Sequence, residues 1–164
     1  MRLPRRGFLL VLSGCGFRSA REARGSGVAV VGAPAQTVEV ALLEAAVAGA
    51  RSWLAEHGVS LGEGYPRLWI EVFEVEERSA GVVLVGGEPR AQGVRLEATG
   101  RAFLERAPGE PAGETGALRV TEGIEPVGGR GWRELALRGL GWKLGEALAK
   151  WVWGEGDSLL GRMW

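Results

Sequence analysis

Two stretches of strict alternation on either side of a glycine turn constrain this chain more than any other feature. Over 68–77, Leu68, Ile70 and Val72 fall on one side, and Arg67, Trp69, Glu71 and Phe73 on the other. Over 94–105, Val94, Leu96, Ala98, Ala102 and Leu104 alternate with Arg95, Glu97, Thr99, Arg101, Phe103 and Glu105. A period of two is the mark of a strand with one face in a core and one in water. Gly86-Gly87-Glu88-Pro89-Arg90 between them is a turn signal. The pattern predicts a long antiparallel hairpin, which Val82-Val83-Leu84-Val85 can extend.

The flanking segments have a different period. Thr37 to His57 reads as a helix, with Thr37 as N-cap, Glu39 in the first turn and Gly58 as the stop. Val38, Leu42, Ala46, Gly49 and Trp53 line one face, joined by Leu43, Ala50 and Leu54, with Glu44, Arg51 and Ser52 opposite. Residues 132–153 read as a second helix whose stripe is Leu137, Leu140, Leu144, Leu148 and Trp151. Gly139, Gly141 and Gly145 each cost about 1 kcal/mol in a helix interior relative to alanine. That cost makes sense where a partner must approach closely, and the Ala-rich first helix is the expected partner. Val28–Val31 and 118–124 complete the set as short strands, and 107–116 reads as a Gly/Pro/Glu loop.

Composition narrows the function. The chain has 164 residues, one cysteine, one histidine and seven tryptophans, with 20 cationic and 20 anionic side chains. One cysteine allows no intrachain disulfide and no thiolate metal cluster. No spacing suggests a metal or cofactor, and the charge balance is not that of a nucleic-acid binder. No apolar run reaches the ~20 residues of a membrane span. Five of the seven tryptophans lie in the final third. Trp142 and Trp153 fall off the helix stripe, which points to a surface covered by a partner or a membrane interface.

The N-terminus carries the sharpest motif. Arg2, Arg5 and Arg6 precede the apolar run Gly7-Phe8-Leu9-Leu10-Val11, and Leu12-Ser13-Gly14-Cys15 follows. Charged, then apolar, then small is the layout of a secretory signal. A cysteine at its end makes it a lipobox, with Cys15 the thiol that takes the lipid. Arg5-Arg6 also fits a twin-arginine signal, so both export routes stay open. The expected organisation is a signal peptide over 1–14, a lipidated N-terminus and tether over 15–27, one α+β domain over 28–154 and a weakly ordered tail over 155–164. Processing removes three arginines and leaves 17 cations against 20 anions.

The order of strand, helix, long hairpin, strand and helix behind Gly14-Cys15-Gly16-Phe17 resembles the LPS-assembly lipoprotein family (LptE-like). The resemblance covers nearly the whole chain. It implies an α+β two-layer sandwich, a small mainly antiparallel sheet with both helices on one face. It also implies a non-enzymatic protein that plugs and helps assemble an outer-membrane β-barrel delivering lipopolysaccharide to the cell surface. The implied partners are that barrel, lipid A, and the outer membrane through lipidated Cys15; Gly16 after the cysteine fits outer-membrane sorting. Arg90 at the hairpin tip, with Arg130 and Arg133 ahead of the second helix, resemble the family's basic contacts to lipid A. Arginine pairs bidentately with phosphate, and a helix N-terminus favours anions.

Two other readings use the same residues. A periplasmic regulator or secretion-machine lipoprotein would have a similar small domain and no barrel partner. Gly58-Val59-Ser60-Leu61-Gly62 fits the G-x-S-x-G pattern of serine esterases. That motif needs a strand before the serine and a helix after it. Here a helix precedes and a strand follows, and Gly58 has work as a helix stop. The lone Asp157 near the tail and His57 before Ser60 also break the expected order, so the chain is expected not to be an enzyme.

Overall fold

The computed structural model describes residues 27–33, 39–124 and 131–153. Seven elements follow one another: β1 (Ala29–Gly32), α1 (Val40–Glu56), β2 (Arg67–Val85), β3 (Glu88–Ala107), β4 (Glu110–Glu114), β5 (Leu118–Ile124) and α2 (Trp132–Trp153). They form an α+β fold of two layers, with one mixed sheet and both helices packed against one face of it.

β2 and β3 are the backbone of the sheet. They pair antiparallel from Arg67↔Glu105 to Val85↔Glu88. Gly86 and Gly87 make the two-residue turn with φ of +63° and +86°. Positive φ at both central residues is what a type I′ hairpin requires, and glycine adopts it without a steric penalty. β1 pairs parallel with the start of β2, from Ala29↔Arg67 to Gly32↔Ile70, with α1 as the crossover. β3 is long enough to serve two strands along its other edge. Its N-terminal half pairs with β5 (Val94↔Ile124 to Gly100↔Leu118), and its C-terminal end with β4.

β4 corrects the expected loop over 107–116. Pro108-Gly109 reverses the chain in two residues, and Gly109 has the positive φ, +75°, that a type II turn needs after proline. Where β4 gives way to β5, the buried Thr115 bridges the gap. Its hydroxyl accepts from the Ala102 N–H (3.0 Å) and donates to the Gly116 carbonyl (2.7 Å).

The core lies between the sheet and the helices. Leu68, Ile70 and Val72 from β2 and Leu96, Ala98, Ala102 and Leu104 from β3 meet Leu42, Ala46, Ala50 and Leu54 from α1. Leu137, Leu140, Leu144, Leu148 and Val152 complete it from α2. The alternation read in the hairpin is therefore the observed inside–outside division. α2 departs from its predicted stripe at the end: Trp151 is 47% exposed and Val152 takes the buried position. Val152 lies one full turn after Leu148, so the stripe continues through it.

The two helices run parallel and nearly touch. A side chain at Gly141 would meet the Leu42 carbonyl, at Gly145 the Ala46 carbonyl, and at Gly49 the Trp142 carbonyl. The glycines of α2 thus pack on the small residues of α1, as the sequence predicts. Gly139 is different, since it faces the Glu122 carboxylate of β5.

α1 starts later than expected. Thr37 lies outside the described residues, and Glu39 holds the N-cap position with no side-chain capping bond. Its carboxylate is taken by Arg133 instead. The other end is as predicted. Gly58 N–H donates to the Ala55 carbonyl and Val59 N–H to that of Leu54, with Gly58 at φ +77°. This is the Schellman arrangement.

Candidate functional site

Of the four predicted site residues, the structure describes one side chain fully. Cys15 and Arg130 lie outside the described residues. Arg90 is in β3, in register with Val83 and the third residue after the Gly86-Gly87 turn; its side chain is outside what the structure describes. Arg133 sits in the first turn of α2, where its guanidinium bonds two carboxylates. Nη2 donates to Glu39 Oε1 at 2.8 Å and Nε to Glu77 Oε2 at 3.1 Å. These bonds raise its pKa further above its ordinary value, with the Glu39 hydrogen bond the largest cause. Arg133 therefore ties the starts of both helices to β2, and its two carboxylate partners already occupy much of its donor fork. Arg90, at the far end of the hairpin, is not brought next to it.

The hairpin continues past the rest of the sheet. β1 pairs only with 67–70 of β2, and β5 begins its pairing at Val94 of β3. Beyond those points β2 and β3 pair with each other as a two-stranded arm. Leu84 near its tip is 74% exposed. A strand with an unpaired edge is a template for another strand, so the arm is one surface open to contact.

The face of the sheet opposite the helices is the other. Trp69 on β2 and Phe103 on β3 are directly paired across the ladder. Their rings lie nearly parallel, 14° apart, with centroids 6.0 Å apart. Trp69 Nε1 donates to Glu105 Oε2 at 2.8 Å, and Glu105 Oε1 accepts from the Gly109 N–H at 2.7 Å. These bonds, the Gly109 amide first, hold the Glu105 carboxyl below its usual range. Arg101 Nε donates to Glu71 Oε2 at 2.6 Å and approaches Glu114 at 3.6 Å. Arg119 joins Glu74 at 3.2 Å and Glu97 at 3.6 Å. A bulge between Val72 and Glu74 leaves Phe73 51% exposed. Arg101, Phe103, Pro111, Gly113 and Glu114 line a shallow open depression of about 410 Å³.

The sequence places Trp69 and Phe103 on polar faces of their strands but does not pair them, because register follows from the turn. The wall formed by Pro111, Gly113 and Glu114 belongs to β4, which was expected as loop. Pro108-Gly109 is the signal that could have revealed it.

Ser60 and His57 follow α1. His57 stacks on Trp53 with centroids 3.8 Å apart, and its Nδ1 lies 2.7 Å from the Trp53 carbonyl. The Ser60 carbonyl accepts from the Val28 N–H at 2.9 Å. A helix precedes Ser60 and a strand follows it, the reverse of a nucleophile elbow. Among the described residues no three His, Cys, Asp or Glu side chains are grouped to hold a metal ion. No helix among them is long and apolar enough to cross a membrane.

No protein-family model matches the chain, and no curated protein does. Among solved structures it is similar to a minor lipoprotein from Acinetobacter baumannii, with 14% identity over 82% of this chain and 94% of that one, at a TM-score of 0.47. It is also similar to a PelC dodecamer subunit from Paraburkholderia phytofirmans, with 18% identity over 77% of this chain and 88% of that one, at a TM-score of 0.42. Likeness at this level concerns general architecture and bears no weight for function.

Proposed function

We propose that this chain is a lipoprotein tethered to the periplasmic face of the outer membrane through Cys15, whose domain helps assemble and plug a β-barrel that delivers lipopolysaccharide to the cell surface. The observation that carries this reading is the element order behind Gly14-Cys15-Gly16-Phe17: strand, helix, long hairpin, two short strands and helix, with both helices on one side of the sheet. That arrangement leaves the open sheet face and the arm free for a surrounding partner. Arg90, Arg130 and Arg133 are the proposed contacts to lipid A phosphates. In this reading the protein is an assembly factor, and its work is done by surfaces rather than by a reaction centre.

The test is affinity purification of the full chain from outer membranes after crosslinking. A large β-barrel protein should co-purify, and Cys15→Ala should abolish both lipid labelling and membrane retention. Recovery of no barrel partner would overturn the LPS-assembly reading and leave that of a regulator or secretion-machine lipoprotein. Ester hydrolysis, if measured at all, should be unchanged by Ser60→Ala.

A further inference from the structure

We infer that the outer edge of β5 is a pairing surface for a second copy of this chain, which adds its own β5 antiparallel and joins the two sheets into one. This contact belongs to the domain itself and needs neither the tether nor a barrel partner.

A free sheet edge offers unpaired N–H and C=O groups, and folded proteins blunt such edges with bulges, prolines and charges. The other described edges here are covered or blunted. On the outer side of β1, Val28 exchanges bonds with Ser60 and Gly62, and Arg51 Nη2 donates to the Val30 carbonyl at 2.8 Å. β2 beyond Ile70 has register shifts after Val72 and Ser79 and carries Glu74, Glu76, Glu77 and Arg78. β3 has Pro89 in its arm, and β4 has Pro111 and two register shifts. β5 has neither proline nor bulge. Leu118–Ile124 pairs with β3 at all 7 residues without a shift, and among the described residues no strand lies on its other side. Its two charges are turned to neighbours in its own chain. Arg119 reaches Glu74 at 3.2 Å and Glu97 at 3.6 Å across the open face, and Glu122 bonds Lys143 at 2.9 Å on the helix side.

The edge is also self-complementary. Facing residues of an antiparallel pair lie on the same side of the sheet, so helix-side residues must face helix-side residues. A two-fold axis through Thr121 meets this condition and keeps all 7 residues in register. Thr121 then faces Thr121 of the second copy, Arg119 faces Gly123, Val120 faces Glu122 and Leu118 faces Ile124. Threonine pairs and apolar pairs are favourable across strands, and no like charges meet. The helix layer broadens the contact. Gly139 and Lys143 of α2 lie beside Glu122 of β5, and Ala136 and Ala147 share that flank by helical spacing. Apart from Lys143 these residues are small, so the α2 of a second copy, turned antiparallel by the same axis, can come close. A strand edge alone is a narrow strip. With the helix flank beside it, the contact grows toward the ~800 Å² per partner of a stable interface.

The same features disfavour other occupants. Arg119 and Lys143 are already bonded to carboxylates, so a phosphate-bearing ligand finds little of the cationic contact its binding depends on. A strand of an unrelated protein can use the same backbone groups, but its register would be set only by its own side chains. A second copy brings a matching residue to every position of the edge and a matching helix flank above it.

The test is light scattering coupled to size-exclusion chromatography on the full chain in mild detergent, at about 100 μM protein, a concentration that captures weak dimers. A protein mass of two copies is expected. Thr121→Lys sets two lysines face to face on the axis and is expected to weaken the dimer about fivefold or more. That side chain is exposed, so the variant keeps its fold. Thr121→Cys in a Cys15→Ser background leaves one thiol per chain. Facing Cα atoms of an antiparallel pair lie ~4.5–5.5 Å apart, within the span of a disulfide, so mild oxidation is expected to link two copies. Leu84→Cys in the same background, at the arm tip, is expected to stay single. A mass of one copy at that concentration would overturn the proposal. So would a dimer undiminished by Thr121→Lys, or linkage through Leu84→Cys and not through Thr121→Cys.

Discussion

Thr115 shows how one hydroxyl can stand in for a strand. β3 needs a partner along its whole outer edge, but β4 and β5 are separate strands, and Ala102 falls between them. The Thr115 side chain accepts that orphan amide in a buried position, and its own N–H donates to the Ala102 carbonyl at 2.9 Å. Thr115→Val keeps the shape and removes the acceptor. It should cost about 1–3 kcal/mol, the penalty of an unsatisfied buried donor, read from the urea midpoint, while Thr115→Ser should cost less. Glu105 works at the next corner. Its carboxyl is held below its usual range by the Gly109 amide first and the Trp69 indole second. An acid with a depressed folded pKa stabilises the protein above its unfolded pKa and loses that contribution as pH falls through the folded value. The β3–β4 corner should therefore weaken below roughly pH 4. Glu105→Gln should flatten that acid limb of the stability–pH curve, and the stability gap to the parent should shrink between neutral pH and pH 3. A gap independent of pH would assign the effect to packing alone.

At the scale of elements the helix pair is the sharpest case. Gly141 and Gly145 are poor helix formers placed where α2 meets the backbone of α1. Gly145→Val would drive carbon into the Ala46 carbonyl, and backbone on backbone cannot give way without separating the helices. The expected loss is about 3 kcal/mol or more, the upper range for overpacking. Gly139→Ala should do the opposite and gain about 0.5–1 kcal/mol of helix propensity, because its neighbour is the end of the Glu122 side chain at 3.4 Å. Guanidinium denaturation of the two variants checks both signs. The sequence made this contact legible because close packing accounts for Gly141 and Gly145, four residues apart on one side of the helix. The hairpin was legible for a similar reason: alternation over ten residues has one structural meaning, and its buried half was identified residue by residue. β4 was not, since Glu110-Pro111-Ala112-Gly113-Glu114 has neither β-propensity nor alternation and exists because Pro108-Gly109 folds it onto β3. The aromatic pair on the open face depended on register, which a strand pattern by itself leaves free by one residue or more. Trp151 leaves the predicted stripe because the apolar face runs on through Val152 at the helix end.

The whole molecule divides into a packed domain and a projecting arm, and the two ends of the hairpin have different surroundings. Ala29, where the chain enters the sheet, pairs with Arg67 at the start of β2. The Gly86-Gly87 turn lies at the other end of that strand, so at ~3.3 Å per residue the arm tip is roughly 60 Å from where the tether would join. An anchored domain would hold its arm well away from the attachment point. Of the described side chains between Ser79 and Gly93, none belongs to the hydrophobic core, which ends at Val75 and Val94. The fold should therefore not need the arm. Replacing 80–93 by Gly-Gly, which joins Ser79 to its register partner Val94, should leave the thermal midpoint within about 2 °C, less than 1 kcal/mol for a domain of this size. Under the proposed function the same variant should lose its barrel partner in crosslinked outer membranes. A large fall in the midpoint would make the arm part of the folding unit. An intact midpoint with undiminished crosslinking would shift the contact surface to the open sheet face, where Trp69 and Phe103 remain in place.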